Sequence, residues 1–422
     1  MAKGLKGPSH RPTYGQMLGK GQKALPKNPF RHGLKGFPRN EKFHNPYKVD
    51  IGPTIHSTVR KSELRIYSDS IGVGANAEPT SNGYMNRIAL ALTQFTDVVN
   101  ASENGQGVWR MCQLVQTAPW TSGPDNLAWI VINIGLNDIS RSGESNPDFF
   151  KTLRKIRNGL FSMLLKPLQG TIAASGSASV TRSAGTFAGY FGNTVGGRFQ
   201  QLTLPNALAA SFSTTAGAKW TWTSPTCRHL YVQLFGACGG TPLAYQFGIT
   251  SITIDGVLMQ TVNGNDQYDG VSDGAYDNGR GPVCYAFWDL PNTTHTVVVE
   301  HLSGTSTAVD FFASITDNMR ICPALTVCEI PYINRSGYYG QPPNSLRGNR
   351  NDQVKADKII RDLVIFFRNR GYNYGYCPTN EFYSLANCSP DNVHPTTKGH
   401  GQLLQALLYK ATKTFNAFQQ AL

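Results

Sequence analysis

Leu127-Ala128-Trp129-Ile130-Val131-Ile132-Asn133-Ile134, followed at once by Gly135-Leu136-Asn137-Asp138, is the stretch that decides the fold. Asn133 is the one polar residue in an otherwise unbroken apolar run of strand length. Such a run lacks the alternation of a half-exposed strand and fits a strand buried on both faces of a parallel sheet. Outward from it, strand and helix patterns alternate. Upstream, 64–68 reads as a strand, 83–92 as a helix, 95–100 as a strand and 108–116 as a helix. Downstream, 149–165 is an amphipathic helix. After a long interruption come a strand at 325–330 and helices at 352–368 and 397–418. The last helix sets Leu404, Leu407, Leu408, Ala411, Phe415 and Phe418 along one face. Strands alternating with helices predict an α/β protein with a parallel sheet.

The interruption has a different texture. Between about 168 and 318 the chain is rich in Ser, Thr and Gly and carries short alternating runs at 187–191, 220–223, 229–235, 251–254, 283–288, 294–300 and 309–315. Short strands separated by turn signals predict a β-sandwich of jelly-roll type. Because the α/β texture resumes afterwards, this module is inserted into the α/β domain. The expected division is an arm at 1–61, α/β segments at 62–167 and 319–422, and the β insertion at 168–318.

The net charge of +13 is not spread evenly over the 422 residues. Residues 1–61 hold thirteen Lys or Arg against Glu41 and Asp50, a net +11, leaving +2 for the rest. This segment has neither helical nor strand periodicity, and Tyr14, Phe30, Phe37, Phe43 and Tyr47 are dispersed through it. It cannot bury a core of its own and is expected to be an extended basic arm that orders against a partner or stays solvated. No apolar run approaches the ~20 residues of a membrane span, and no apolar block near the start reads as a secretory signal. The eight cysteines (112, 227, 238, 284, 322, 328, 377, 388) lack the close pairing of zinc sites. Reduced, mostly buried thiols are expected, with Cys377 and Cys388 spaced so that pairing across their loop stays open.

Three separated motifs carry chemistry. Ser68-Asp69-Ser70-Ile71-Gly72-Val73-Gly74 follows the first strand, so Ser70 falls on a Gly-rich turn at the carboxyl end of a parallel strand, where α/β sheets bind ligands. Gly135-Leu136-Asn137-Asp138 closes the buried strand and offers an Asn amide as an oxyanion donor. Asp391-Asn392-Val393-His394-Pro395 precedes the last helix, with a carboxylate three residues before an imidazole and a proline holding His394 on the loop.

In order and placement these motifs resemble the blocks of the SGNH (GDSL-like) hydrolases over about 62–166 and 320–420. The family's Gly-Asp-Ser is matched by Ser68-Asp69-Ser70, with Ser68 where the family usually has Gly. Its Gly-x-Asn-Asp is matched by Gly135-Leu136-Asn137-Asp138, and its Asp-x-x-His by Asp391-Asn392-Val393-His394. Gly107, in Asn104-Gly105-Gln106-Gly107, is the better candidate for the second-block glycine. The resemblance implies a flavodoxin-like three-layer α/β/α domain and a serine esterase. Its triad would be Ser70, Asp391 and His394, and its oxyanion hole the Ser70 and Gly107 N–H groups with the Asn137 side chain. No metal or cofactor is expected.

The insertion bears on the substrate. Trp220, Trp222 and Trp288 are candidate platforms for sugar rings, although aromatics on strands are more often core. Asp266, Asp269, Asp273 and Asp277 lie among glycines in a loop that is open to calcium or simply solvated. SGNH esterases with inserted β modules are similar to those on bacteriophage tails. The expectation is therefore a virion esterase that removes O-acetyl groups from a surface polysaccharide and attaches to tail proteins through residues 1–60, with a homo-oligomer left open. The rival expectations are a catalytically silent carbohydrate-binding virion protein, and a particle protein whose basic arm binds nucleic acid.

Overall fold

The computed structural model describes residues 61–92, 95–118, 126–141, 149–189, 210–237, 247–267, 280–317, 323–332, 350–391 and 393–421. All of them belong to one compact unit spanning 49–422. The basic arm at 1–60 and the loop carrying Asp269, Asp273 and Asp277 lie outside the described residues, as does the side chain of Asp266.

In chain order the first elements are β1 (Lys61–Ser68), α1 (Ser70–Val73), α2 (Tyr84–Ala91), β2 (Asp97–Asn100), α3 (Val108–Thr117), β3 (Asn126–Asn133), α4 (Leu136–Arg141) and α5 (Phe149–Leu165). Then come β4 (Gln169–Ala174), β5 (Val180–Ser183), β6 (Ala188–Gly189), β7 (Ser211–Ser213), β8 (Lys219–Thr223) and β9 (Leu230–Ala237). They are followed by β10 (Ile249–Ile254), β11 (Val257–Asn263), β12 (Arg280–Phe287), β13 (Thr296–Ser303) and β14 (Thr307–Ile315). The chain closes with β15 (Ala324–Cys328), α6 (Arg350–Asn369), β16 (Tyr374–Cys377) and α7 (Thr397–Ala421). Four-residue α1 and strands β5, β7 and β11 have too short or too exposed a pattern to stand out in the sequence.

The protein is an α/β fold with a β-rich unit. Five strands form a parallel sheet in the order β2-β1-β3-β15-β16. Trp129, Ile130, Val131 and Ile132 of central β3 are buried on both faces, as their unbroken apolar run requires. The chain moves one way from β1 to β2 and the other way from β2 to β3. With right-handed crossovers, that reversal puts the intervening helices on opposite faces. Accordingly α3 packs on α5 and α5 on α6, whereas α2 packs on α7. The reversal also opens a crevice at the carboxyl ends of β1 and β3.

The β-rich unit consists of two antiparallel sheets. One runs β11-β10-β13-β8-β5; the other runs β12-β9-β14-β7-β6, with β4 added on β14. Trp220, Trp222, Val232, Leu234, Ile252, Val297, Val299 and Phe312 meet between them in a shared core. Entry and exit are adjacent, because Gln169 of β4 pairs with Ile315 of β14.

The second sheet is buried on both faces, which ties the two parts of the molecule together. Along β9, Leu230, Val232 and Leu234 face the sandwich core, while Tyr231 and Phe235 join the core that holds Leu160 and Leu164 of α5. A register shift between Val309 and Phe311 re-phases β14, so Phe311 and Ala313 join the main core and Phe312 faces the sandwich. A buried polar chain crosses this seam. Gln116 Nε2 donates to Ser162 Oγ (2.8 Å), Ser162 Oγ to Gln233 Oε1 (2.7 Å), and Gln233 Nε2 to Asp310 Oδ2 (2.6 Å). Such a network specifies one docking geometry, because each member is costly to leave unpaired.

Candidate functional site

Ser70 opens α1 directly after β1. Asp69 caps that turn, its Oδ1 accepting from Ile71 N at 3.0 Å, and Gly74 ends it at φ 94°. Burial pushes the Asp69 carboxyl up to about 7. A Cβ on Gly72 would lie 2.2 Å from Ser68 Cβ and 2.6 Å from Ser102 Oγ. The side chain of Ser68, where a glycine is more usual in the resembling family, is thus accommodated because position 72 has none.

The loop before α7 brings the other two groups. It is closed by the bridge between Cys388 and Pro395 and by Thr396 N donating to Asn387 O at 2.8 Å. His394 Nδ1 lies 2.6 Å from Asp391 Oδ2, and His394 Nε2 lies 2.8 Å from Ser70 Oγ. An ionised carboxylate only accepts, so Nδ1 carries the proton and Nε2 is left to accept from the Ser70 hydroxyl. The sequence-predicted Ser70, His394 and Asp391 therefore form one continuous hydrogen-bonded chain.

Asp391 is held by more than its histidine. Its Oδ1 accepts from Ser389 Oγ (2.5 Å), Val393 N (2.9 Å) and His394 N (2.9 Å), and its Oδ2 also accepts from Asn76 Nδ2 (2.5 Å). Partial burial raises its pKa, but the hydrogen bonds from Ser389, the His394 ring and the two amides outweigh burial and hold it well below the usual carboxylate range. It stays ionised beside the imidazole.

Asn76 is a site residue that sequence reasoning missed. It sits at φ 61°, a left-handed conformation that Asn tolerates, and also donates to Ser389 Oγ at 2.8 Å. His400 was missed as well. Its Nδ1 accepts from Tyr84 N (3.4 Å), so Nε2–H donates to Ala75 O (3.1 Å), tying α7 to the turn after Ser70. Burial lowers its pKa to about 4 and keeps it neutral. Neither residue belongs to a motif; only their long-range partners mark them.

The candidate oxyanion groups converge on the loop between β2 and α3. Glu103 N donates to Ser68 O at 3.0 Å, placing that loop beside the end of β1. Arg110 grips Glu103 through two contacts of 2.8 Å, closing the loop around Gly107, which caps α3. Asn137 Nδ2 donates to Gln106 O at 2.9 Å, and Asp138 Oδ2 accepts from Val108 N at 3.0 Å. Asn137 and Asp138 thus flank Gly107 from one side, with Lys155 Nζ 3.6 Å from the other Asp138 oxygen. Ile330 Cδ1 packs where a Cβ on Gly135 would sit, at 2.9 Å, so Gly135 at φ 116° is required both by space and by backbone.

The expected sugar platforms do not hold for two of the three tryptophans. Trp220 and Trp222 are buried between the two sheets, where Trp220 Nε1 donates to Ser211 Oγ (2.7 Å) and Trp222 stacks on Phe312. Alternation along β8 points both inward. Trp288 packs against the main core with Arg370 over its ring. Cys377 and Cys388 are both free thiols, and Cys377 pairs in register with Cys328 instead. Among the described residues no group of His, Cys, Asp and Glu is arranged to hold a metal ion, and no helix is long and apolar enough to cross a membrane.

No known family and no curated protein matches the sequence. Among solved structures, a two-domain esterase active on acetylated mannans, co-crystallised with mannopentaose, aligns over 61% of this chain and 92% of its own, at 10% identity and TM-score 0.32. A family 35 carbohydrate-binding module from an environmental isolate aligns over 37% of this chain and 98% of its own, at 14% identity and TM-score 0.24. Both likenesses are too remote to bear on fold or activity, which rest on the residues described above.

Proposed function

We propose that the protein is a serine esterase of SGNH type acting on acetylated carbohydrate. The observation that carries this reading is the unbroken chain Ser70 Oγ–His394–Asp391 at the carboxyl edge of the parallel sheet. The strand order β2-β1-β3-β15-β16 supports the flavodoxin-like arrangement in which such sites occur. His394 Nε2 takes the Ser70 proton as Oγ bonds to the ester carbonyl carbon. The Ser70 and Gly107 N–H groups and the Asn137 amide stabilise the oxyanion. Collapse breaks the ester C–O bond, and His394 returns the proton to the leaving alcohol. Water, deprotonated by the same imidazole, then releases the acid and restores Ser70.

The test is hydrolysis of 4-nitrophenyl acetate, with labelling by a fluorophosphonate read by peptide mass spectrometry. Turnover with the label on Ser70 supports the reading; a folded protein that neither turns over nor labels is the catalytically silent binder instead. Acetate released from a panel of O-acetylated polysaccharides then identifies the substrate class. We further infer that residues 1–60, with a net charge of +10, attach the enzyme to a larger particle such as a phage tail. Clustered charge and spaced aromatics suit a segment that orders on a partner. Normal incorporation of the arm-deleted protein into particles would refute that attachment.

A further inference from the structure

A cleft of about 640 Å³, lined by none of the triad residues, lies where the β-rich unit docks on the α/β domain. Its walls come from α5 (Phe150, Leu153, Arg154, Arg157, Asn158) and from the β11–β12 side (Gln260, Gln267, Tyr285). Both its size and its position at an inter-unit seam are those of small-molecule sites. Among the described lining residues two carry guanidinium groups and none is acidic. Burial raises the pKa of the Tyr285 hydroxyl, and Arg154 and Arg157, one turn apart on α5, act on it in the opposite sense. Arg157 makes no ion pair among the described residues, and its guanidinium lies 5.8 Å from the Phe161 ring.

A second observation points to an occupant. Asn158, only 4% exposed, lines the cleft, and its side-chain amide is not among the buried polar atoms sealed off without a partner. Its main-chain carbonyl accepts from Cys284 Sγ at 3.4 Å. An amide that meets water at a cleft wall is available to the hydroxyl groups of a ligand that displaces that water. Phe150 and Leu153 add apolar surface beside these polar groups.

We propose that this cleft binds an acidic oligosaccharide. A guanidinium fork takes a sugar carboxylate, the Asn158 amide and Tyr285 hydroxyl take ring hydroxyls, and Phe150 and Leu153 meet the C–H face. The inference rests on the carbohydrate reading above but not on catalysis. The cleft flanks the first half of α5, the half nearer the carboxyl edge of the sheet, so it grips a polymer on the same end of the domain as Ser70.

The test is calorimetric titration of the full chain with trigalacturonate, sialyllactose and a hyaluronan tetrasaccharide, against neutral maltotriose and inorganic sulfate. At least one carboxylated sugar should bind, with maltotriose and sulfate at least tenfold weaker. Arg157→Gln and Asn158→Ala should each weaken the sugar at least fivefold and leave 4-nitrophenyl acetate turnover unchanged. Binding of none of the three acidic sugars overturns the proposal, as does equal binding of maltotriose. Sulfate binding as tightly as the sugars makes it a general anion site and also overturns it. Arg157 is exposed on its helix, so its variant folds; sugar binding unmoved by that substitution places the ligand elsewhere. Loss of esterase activity in Ser70→Ala with sugar binding intact separates the two readings.

Discussion

Asn76 Nδ2 lies 2.5 Å from Asp391 Oδ2, joining the turn after the nucleophile to the acidic loop across 315 positions of sequence. Hydrogen bonds to charged groups contribute about 1.5–3 kcal/mol. Asn76→Ala should therefore lower kcat/KM by roughly tenfold to a hundredfold. The sign of its pH effect follows from Asp391, whose folded-state pKa is depressed. Its contribution to stability is present above the unfolded carboxylate value and is lost as pH falls through the lower folded value. Removing one donor raises that folded value, so on acidification the variant should lose less stability than the wild type, from the same onset and with the loss complete at higher pH. Coincident acid-unfolding curves and unchanged kcat/KM would show the contact to be idle.

Ser70→Ala and His394→Ala should each cut ester turnover by at least about a thousandfold, and the double variant should be little worse than either. The reason is that both act through one hydrogen-bonded chain. Near-multiplicative losses in kcat, with far-ultraviolet spectra unchanged, would mean that the two side chains work separately.

Asn137→Ala should lower kcat by about a hundredfold to a thousandfold, the usual loss for one oxyanion donor. Because Asn137 also holds the Gln106 carbonyl, Asn137→Asp, which keeps the size but exchanges the amide, should be no better. A fall confined to KM would move Asn137 from transition-state stabilisation to ground-state binding.

His400 sets a second pH dependence. Its folded pKa of about 4 lies below the ordinary value of 6.5, so the unfolded chain binds the proton first as pH falls. The stability given by the neutral ring is complete above 6.5 and lost on the way down to about 4, a difference of roughly 3 kcal/mol. His400→Gln should be less stable at pH 7.5 and should lose less between pH 7.5 and 4.5 than the wild type, read as urea midpoints. Equal losses in the two proteins would exclude His400 as the source.

Much of the architecture was legible because its determinants are local. The apolar run at Trp129–Ile132, the amphipathic pattern of α5 and the shift to short alternating strands each follow from a period that neighbouring residues set. The three motifs were legible for the same reason, since each places its chemistry within a few residues of a strand end or helix start. Where burial is a property of the assembly, the sequence was silent. Trp220 and Trp222 read equally as platforms or as core until the second sheet covers them.

The sequence by itself determined the parallel sheet, the inserted strands and the residue types at the carboxyl ends of β1 and β3 and before α7. Periodicity and turn chemistry act over short distances, and a single chain carries them in full. Tertiary structure alone decided that Ser70 Oγ and His394 Nε2 meet at 2.8 Å although 324 positions separate them. It also decided that Asn76 and His400 hold that geometry, and that Asn158 opens onto a cleft at the seam with the β-rich unit. These relationships depend on the crossover of the chain and on which faces are left to pack, and no local pattern encodes a partner hundreds of residues away.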